Sequence, residues 1–420
     1  LREHATAAGS QFLTEALQLE AEYRFITGDF DGTLATVERA TGRRIDELTA
    51  TVEVASPDDV PTEMLRIASM TLRELGRHAE ATQLGEAARD RYAAASDTYG
   101  VALMTDVIAG ITWRTGQPGE AARLHRQSAD MFASLGALGA EARALNNVGT
   151  ALWAVGDDHG AEEVHERALD ICRRLGDRRG EGDNLDNLGG VAFVRGDMAT
   201  AIELYESALT IRRATDDPWG ISISLSNLGD AFRALGRHRE ALESIEESLS
   251  VNRDAGVVRN EATTLQSRGL VLADLGRVDE ALVELRTAAD MHAELGDHAN
   301  LVETHSAIVS VLVAAGADPR DVRAGIDALM ARVTPTDPAT VRQVAATTAA
   351  EALGSAVVAD HDGARAAAGR AFAAMDEVLA PLEPVDAAHR RASVPLHRRT
   401  VALLDRFATV VEVDLVRADP

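Results

Sequence analysis

Apolar residues along most of this chain recur at spacings of three and four, and no strand-length run alternates apolar with polar positions. In one stretch they fall at Leu185, Leu188 and Ala192 and then, past Gly196, at Ala201, Leu204, Tyr205, Ala208 and Leu209. Such spacing collects side chains into one stripe of a helix, so each stretch predicts two helices joined at a glycine. The stretch recurs. "ALNNVGTALWAVG" (144–156), "NLDNLGGVAFVRG" (184–196) and "SLSNLGDAFRALG" (224–236) carry the same Asn, the same Leu-Gly or Val-Gly pair and the same closing Gly. Gly stands at 76, 116, 156, 196, 236, 276 and 316, and with only 33 Gly in 420 residues chance does not account for seven in register. Ala follows five residues later at 81, 121, 161, 201, 241 and 281, and the column ends at Asp321. The Gly supplies the left-handed residue that ends the first helix, and the Ala lets the second helix approach closely. A second turn, seen in Leu135-Gly136, Leu175-Gly176-Asp177 and Leu295-Gly296-Asp297, closes each unit.

The segment "NLGGVAFVRGDMATAIELYESAL" (187–209), with Leu185, Leu188, Gly189, Ala201, Tyr205 and Ala208 at signature positions, resembles a tetratricopeptide repeat. The forty-residue period and the missing late Pro resemble the longer-helix variety of kinesin light chains and of regulators with Asn-Leu-Gly helices. The resemblance is strongest over 99–315 and good from about residue 62. It implies an all-α, right-handed superhelical solenoid of antiparallel helix pairs, with about nine or ten hairpins. Three regions are expected. Residues 1–56 hold a degenerate hairpin, "FLTEALQLEAEYRFITGDFDGTLATVERA" (12–40) with Gly28 out of register, and an inserted loop to which "PDDVPTE" (57–63) belongs. Residues 57–332 form the core array. Residues 333–420 hold degenerate repeats, an Ala-rich helical pair over 338–381 and a capping amphipathic segment over 386–415 interrupted at Pro395.

Composition narrows the chemistry. A formal net charge of −25 argues against nucleic acid and anionic membrane as partners of the chain as a whole. Every basic residue counted is Arg, as in a GC-rich genome of the actinobacterial kind. Without Lys there can be no GxxxxGK[ST] phosphate loop and no Schiff-base lysine. The single Cys172 excludes an internal disulfide and reads as a buried thiol in a cytoplasmic protein. No apolar run is long enough to span a membrane. The twelve His show no HExxH or metal-ligand spacing, and GxSxG is absent, so no catalytic residue, metal or cofactor is nominated. The basic run "HRRASVPLHRR" (389–399) reads as a solvated face compensating acidic neighbours. The chain opens on Leu1, as expected of a segment cut from a longer protein.

One face of the first helices calls for more than scaffold. On a wheel at about 100° per residue, Arg143, Asn146, Asn147, Trp153 and Ala154 lie within about 60° of Thr150. Leu145, Val148 and Leu152 point the other way, toward the core. The resemblance implies that the Thr150 face lines a concave groove. Moved by forty residues, the same face holds Asn187, Gly190 and Phe193, with Asp183 in the column of Arg143; then Asn227, Asp230 and Arg233; and, backward, Val107, Gly110 and Trp113. Two stripes follow: amides at Asn147, Asn187 and Asn227, and aromatics at Trp113, Trp153 and Phe193. With only three Trp in the chain, two at equivalent positions are informative. The amides either tie neighbouring helices together or hold the backbone of an extended peptide, since Asn both donates and accepts.

The expectation is therefore a non-catalytic module that binds a peptide or protein segment in its groove. The resemblance extends to the C-terminal sensor array of actinobacterial signal-transduction ATPase regulators, implying a sensor part of a larger signalling or transcriptional protein whose partner could be another domain of the same chain. Two alternatives stand beside it: a small-molecule inducer held in an aromatic pocket around Trp113 and Trp153, and a structural protein–protein scaffold.

Overall fold

The computed structural model describes residues 2–51, 60–335, 339–379 and 395–407. Among them are twenty α-helices and no strand, and helices consecutive in sequence pack as pairs through the array. The local chemistry of one repeat shows why. Helix Leu138–Val155 stops at Gly156, whose φ of 69° is left-handed, and helix Asp158–Leu175 stops at Gly176 with φ 70°. Between them Asp157 caps the second helix by accepting the Gly160 N–H at 2.8 Å, satisfying one of the donors a helix start leaves free. The Asp97, Asp197, Asp217 and Asp297 carboxylates cap in the same way.

All seven glycines of the forty-residue column have positive φ, between 65° and 84°. All six alanines of the companion column are 0% exposed, as a site of close helix contact demands. A second glycine column has a different cause. A Cβ at Gly149 would lie 2.4 Å from His165 Nε2, and one at Gly189 would lie 2.5 Å from the Tyr205 ring. These glycines are ordinary helical residues kept small so that a large side chain of the second helix can lie across the first.

The chain divides into two compact units, Leu1–Asn187 and Leu188–Pro420. In the first, one apolar cluster runs from Leu17 to Ile111, with Leu48, Met64, Leu65, Leu72 and Leu84 fully buried, and another gathers Phe132, Leu145, Ile171 and Cys172. In the second, Tyr205, Leu225, Phe232 and Ile245 belong to one cluster, and Leu285, Val302, Leu329 and the Ala-rich helices to another. The N-terminal hairpin consists of Arg2–Ile26 and Phe30–Thr41, followed by the short helix Ile45–Thr51. Of "PDDVPTE", residues 57–59 lie outside the described residues. Pro61 stands at the N-terminal boundary of helix Thr62–Glu74 without a side-chain capping bond, and Val60 before it is fully buried. The C-terminal elements are Ala339–Leu353, His361–Leu379 and Pro395–Phe407. Pro395 opens the last of these, where a missing N–H costs nothing. Residues 386–394 and 408–415 of the capping segment lie outside the described residues.

Candidate binding face of the first helices

In the first unit, the face singled out in the sequence belongs to helices Thr98–Arg114 and Leu138–Val155 and to residues 178–187 of helix Arg178–Arg195. Its core side packs as the wheel predicts for Leu145 and Val148, which are buried, while Leu152 is half-buried. On the opposite side, Trp113 and Trp153 are 37% and 44% exposed. An indole left this far open on an otherwise well-packed helix gains little from the fold. Arg143 is exposed and forms no ion pair among the described residues. By contrast Arg114 of the same face bonds Glu74, and on the preceding helix Thr62–Glu74 Arg66 bonds Glu22 and Glu63 and Arg73 bonds Glu74.

The amides divide. Asn187 Nδ2 donates to Asn146 Oδ1 at 2.8 Å, tying two successive first helices together. Asn147 is half-buried and makes no side-chain hydrogen bond among the described residues. Thr150 Oγ1 donates to the Asn146 carbonyl at 3.0 Å, so its hydroxyl is satisfied by its own helix. Asp183 is half-buried and has a partner of its own. Val107, at the position of Asn147 one repeat earlier, is 4% exposed and belongs to the core.

Beneath this face lies a layer of buried polar seats. His125 Nδ1 faces Asp106 Oδ1 at 2.6 Å, and one repeat later His165 Nδ1 faces Asn184 Oδ1 at 3.1 Å. His165 is 1% exposed, and burial drives its pKa down to about 4, with the Asn184 bond opposing. Cys172, 2% exposed, has its thiol pushed up to about 11 by burial, with Asp177, Asp183 and Glu181 adding to the shift. A thiol so placed is a packing residue, because the nucleophilic thiolate is disfavoured.

In the second unit, Phe193 is half-buried and packs on the cluster around Tyr205 and Leu225. Asn227 is half-buried and makes no side-chain hydrogen bond among the described residues. Arg233 Nε donates to Asp274 Oδ2 at 2.7 Å, joining helices Pro218–Ala234 and Val258–Asp274. Burial raises the pKa of Asp230 against the opposing effects of the nearby Ser267 hydroxyl and the Arg233 guanidinium. Ser267 was not among the sequence candidates. It stands forty residues after Asn227, so carrying the amide column one step further would have reached it.

Among the described residues, no group of three His, Cys, Asp or Glu could hold a metal ion, and no helix is long and apolar enough to cross a membrane. Of the basic run 389–399, residues 389–394 lie outside the described residues. Arg399 pairs with Glu351, its Nε 2.8 Å from Oε1.

The tetratricopeptide repeat family matches residues 140–214 and 183–254. No curated protein sequence matches the chain. Among solved structures, the chain is similar to a Rap protein complexed with competence and sporulation factor. The TM-score is 0.60 at 12% identity, over 89% of this chain and 100% of that one. It is also similar to the apo form of RapI, with TM-score 0.52 at 13% identity, over 66% of this chain and 98% of that one. A third is a signal transduction ATPase with numerous domains and a tetratricopeptide repeat sensor, from Pyrococcus horikoshii. There the TM-score is 0.53 at 14% identity, over 89% of this chain and 55% of that one. At such identities the likeness is one of fold.

Proposed function

We infer, from a chain that carries tetratricopeptide repeats and folds as consecutive helix pairs, a non-catalytic module that recognises a peptide or protein segment on the open face of its first helices. The observation that carries this reading is in the first unit. Trp113 and Trp153, two of three Trp in the chain, stand exposed at equivalent positions, and the unbonded Asn147 and the unpaired Arg143 share the helix of Trp153. Folding alone accounts for none of the four. An indole anchors an apolar side chain, an amide meets a peptide group as donor and acceptor, and neither requires chemistry to be done. The fold shared with a Rap protein solved with a bound factor and with a sensor of a signalling ATPase supports placing the module in the regulatory part of a larger signalling protein.

The test is selection of a displayed random octapeptide library on the immobilised chain. Enriched peptides are expected, and Trp153→Ala should weaken them about tenfold or more, as loss of an aromatic anchor does, with the melting temperature unchanged. Absence of enrichment, or enriched peptides indifferent to both Trp153→Ala and Asn147→Ala, would overturn the reading.

A further inference from the structure

One core column of the repeat is broken at a single place. Ala68, Ile108, Val148, Leu188, Leu228 and Ile308 occupy it on the first helices, each at 8% exposure or less. Arg268 of helix Val258–Asp274 stands where the column calls for another apolar residue. Its Nη1 lies 3.3 Å from Glu284 Oε1 on helix Val278–Glu294, and Glu284 in turn takes the position of Leu124, Val164 and Leu204. An ion pair with side chains 27% and 21% exposed thus fills two positions that are both apolar at 108 and 124, at 148 and 164, and at 188 and 204. The fold gains little from the exchange, because the cost of taking two charges out of water offsets most of their attraction. Nor is the new pair fully satisfied. Arg268 Nε is buried without a hydrogen-bond partner among the described residues.

Beside the exchange lies open space. Arg268 lines a cleft of about 340 Å³ with Glu246, Leu249, Ser250, Arg253 and Asp254 of helix His238–Ala255. That volume is at the low end of the range for small-molecule sites, about 300–1,000 Å³. Leu249 is the one apolar wall, so the cleft suits a hydrophilic ligand. Its lining carries both signs of charge. Arg253 Nε engages Glu261 at 2.7 Å and Arg268 Nη1 engages Glu284, which uses one of the five donors of each guanidinium. Glu246 and Asp254 form no hydrogen bond or salt bridge among the described residues. Counting Glu261, Glu284 and the nearby Arg277, the carboxylates still outnumber the guanidiniums, which disfavours a ligand of negative charge alone. A ligand of positive charge alone would leave the displaced Arg268 with nothing to bind. We propose that this cleft takes a free α-amino acid, whose single α-carbon bears both an ammonium and a carboxylate. The carboxylate accepts from the guanidinium of Arg268 and the Ser250 hydroxyl, and the ammonium donates to Glu246 or Asp254. The site is separate from peptide recognition, since Arg268 stands in a core column and not in the columns of Trp153 and Asn147.

The experiment titrates the chain calorimetrically with each of the common amino acids. Any that binds is compared with its N-acetyl derivative, which lacks the ammonium, and with its decarboxylated amine, which lacks the carboxylate. At least one amino acid is expected to bind, about tenfold or more tighter than either derivative, since each derivative loses a charge-assisted hydrogen bond. Two variants locate the site. Arg268→Leu combined with Glu284→Leu rebuilds the pair found at Leu188 and Leu204, so it should abolish binding and raise the melting temperature. Ser250→Trp fills the cleft from an exposed position and should abolish binding with the melting temperature unchanged. Trp153→Ala should leave amino-acid binding intact. The proposal is overturned if no amino acid binds, if a derivative binds as tightly as its parent, or if binding survives in Ser250→Trp or in the double variant. Loss of binding in Trp153→Ala would also overturn it, by moving the ligand to the other face. A lowered melting temperature of the double variant would do the same, by making the ion pair a structural one.

Discussion

One column of the repeat is filled in opposite ways in the two units. At the end of each second helix, the first unit buries Tyr92, Phe132 and Cys172, at 8%, 2% and 2% exposure. The second unit buries Arg212, Asn252 and His292 in the same column, at 2%, 0% and 0%. Phe132 packs edge-on against Tyr99 with ring centroids 5.2 Å apart. Arg212 instead pairs with Asp217 at 2.9 Å, and Asn252 donates to Thr264 Oγ1 at 3.2 Å within a polar set that includes the buried Ser222 and Ser248 and the half-buried Ser226 and Asn260. The satisfaction is incomplete. Among the described residues, Asn252 Oδ1 and both nitrogens of His292 are buried without a partner. The repeat therefore fixes the volume of this seat and leaves its polarity open. An apolar filler adds stability there, whereas an incompletely bonded polar one subtracts from it.

The largest effect expected from this contrast comes from emptying the seat in the first unit. Phe132→Ala should lower stability by about 3–5 kcal/mol, the range for a buried aromatic deleted from a packed core, read from the urea midpoint. Its counterpart Asn252→Leu should be neutral or stabilising by about 1 kcal/mol, since it removes a buried unbonded oxygen at similar volume. If Asn252→Leu instead lowered the midpoint as far as Phe132→Ala, the polar set would be as structural as the aromatic one and the contrast would fail.

Next in size is the response to acid, which sharpens the same point inside the first unit. His165 has a folded pKa of about 4 against an ordinary value near 6.5, so the unfolded chain binds the proton first. The stability that its neutral form contributes is complete above pH 6.5 and is lost as pH falls toward 4, by roughly 3 kcal/mol at most. His165→Tyr places there the residue found at Tyr205, which lies across Gly189 as His165 lies across Gly149. Denaturation midpoints of this variant should lose that share of the slope between pH 6.5 and 4. An unaltered slope would assign the acid response to other groups.

The smallest effect separates the amides. Asn187→Ala breaks the bond to Asn146 and should cost about 0.5–1.5 kcal/mol in thermal melts. Asn147→Ala removes no hydrogen bond present in the fold and should stay within about 0.5 kcal/mol. Equal costs would mean that Asn147 supports the fold in some other way.

Much of the scaffold was legible because its causes are local or repeat with the period. The glycines that end first helices need left-handed dihedrals, and Ala81 through Ala281 need only to be small where helices touch; both constraints leave a residue type at a fixed interval. The face with Trp113 and Trp153 was legible for the same reason, since the wheel of one helix fixes its direction. The fate of Asn187 was not. Asn147 and Asn187 occupy the same column with the same side chain, yet only Asn187 is bonded: Asn146 Oδ1 accepts from it at 2.8 Å, whereas Asp106, which stands before Asn147 as Asn146 stands before Asn187, faces His125 at 2.6 Å instead. Asp106, Asp186 and Ser226 replace Asn146 in other repeats, so the column alone does not say where a bond forms.

Sequence by itself thus determined the helix pairs, their forty-residue period, the columns that close them and the face that carries the unusual side chains, because each follows from backbone dihedrals or helical phase within one unit. Tertiary structure decided which of those side chains are engaged. It engaged Asn187 with Asn146 and Arg233 with Asp274 while leaving Asn147, Arg143 and Asp230 without amide or ion partners among the described residues, since hydrogen bonds and ion pairs between repeats depend on where successive helices bring their side chains to within about 3 Å.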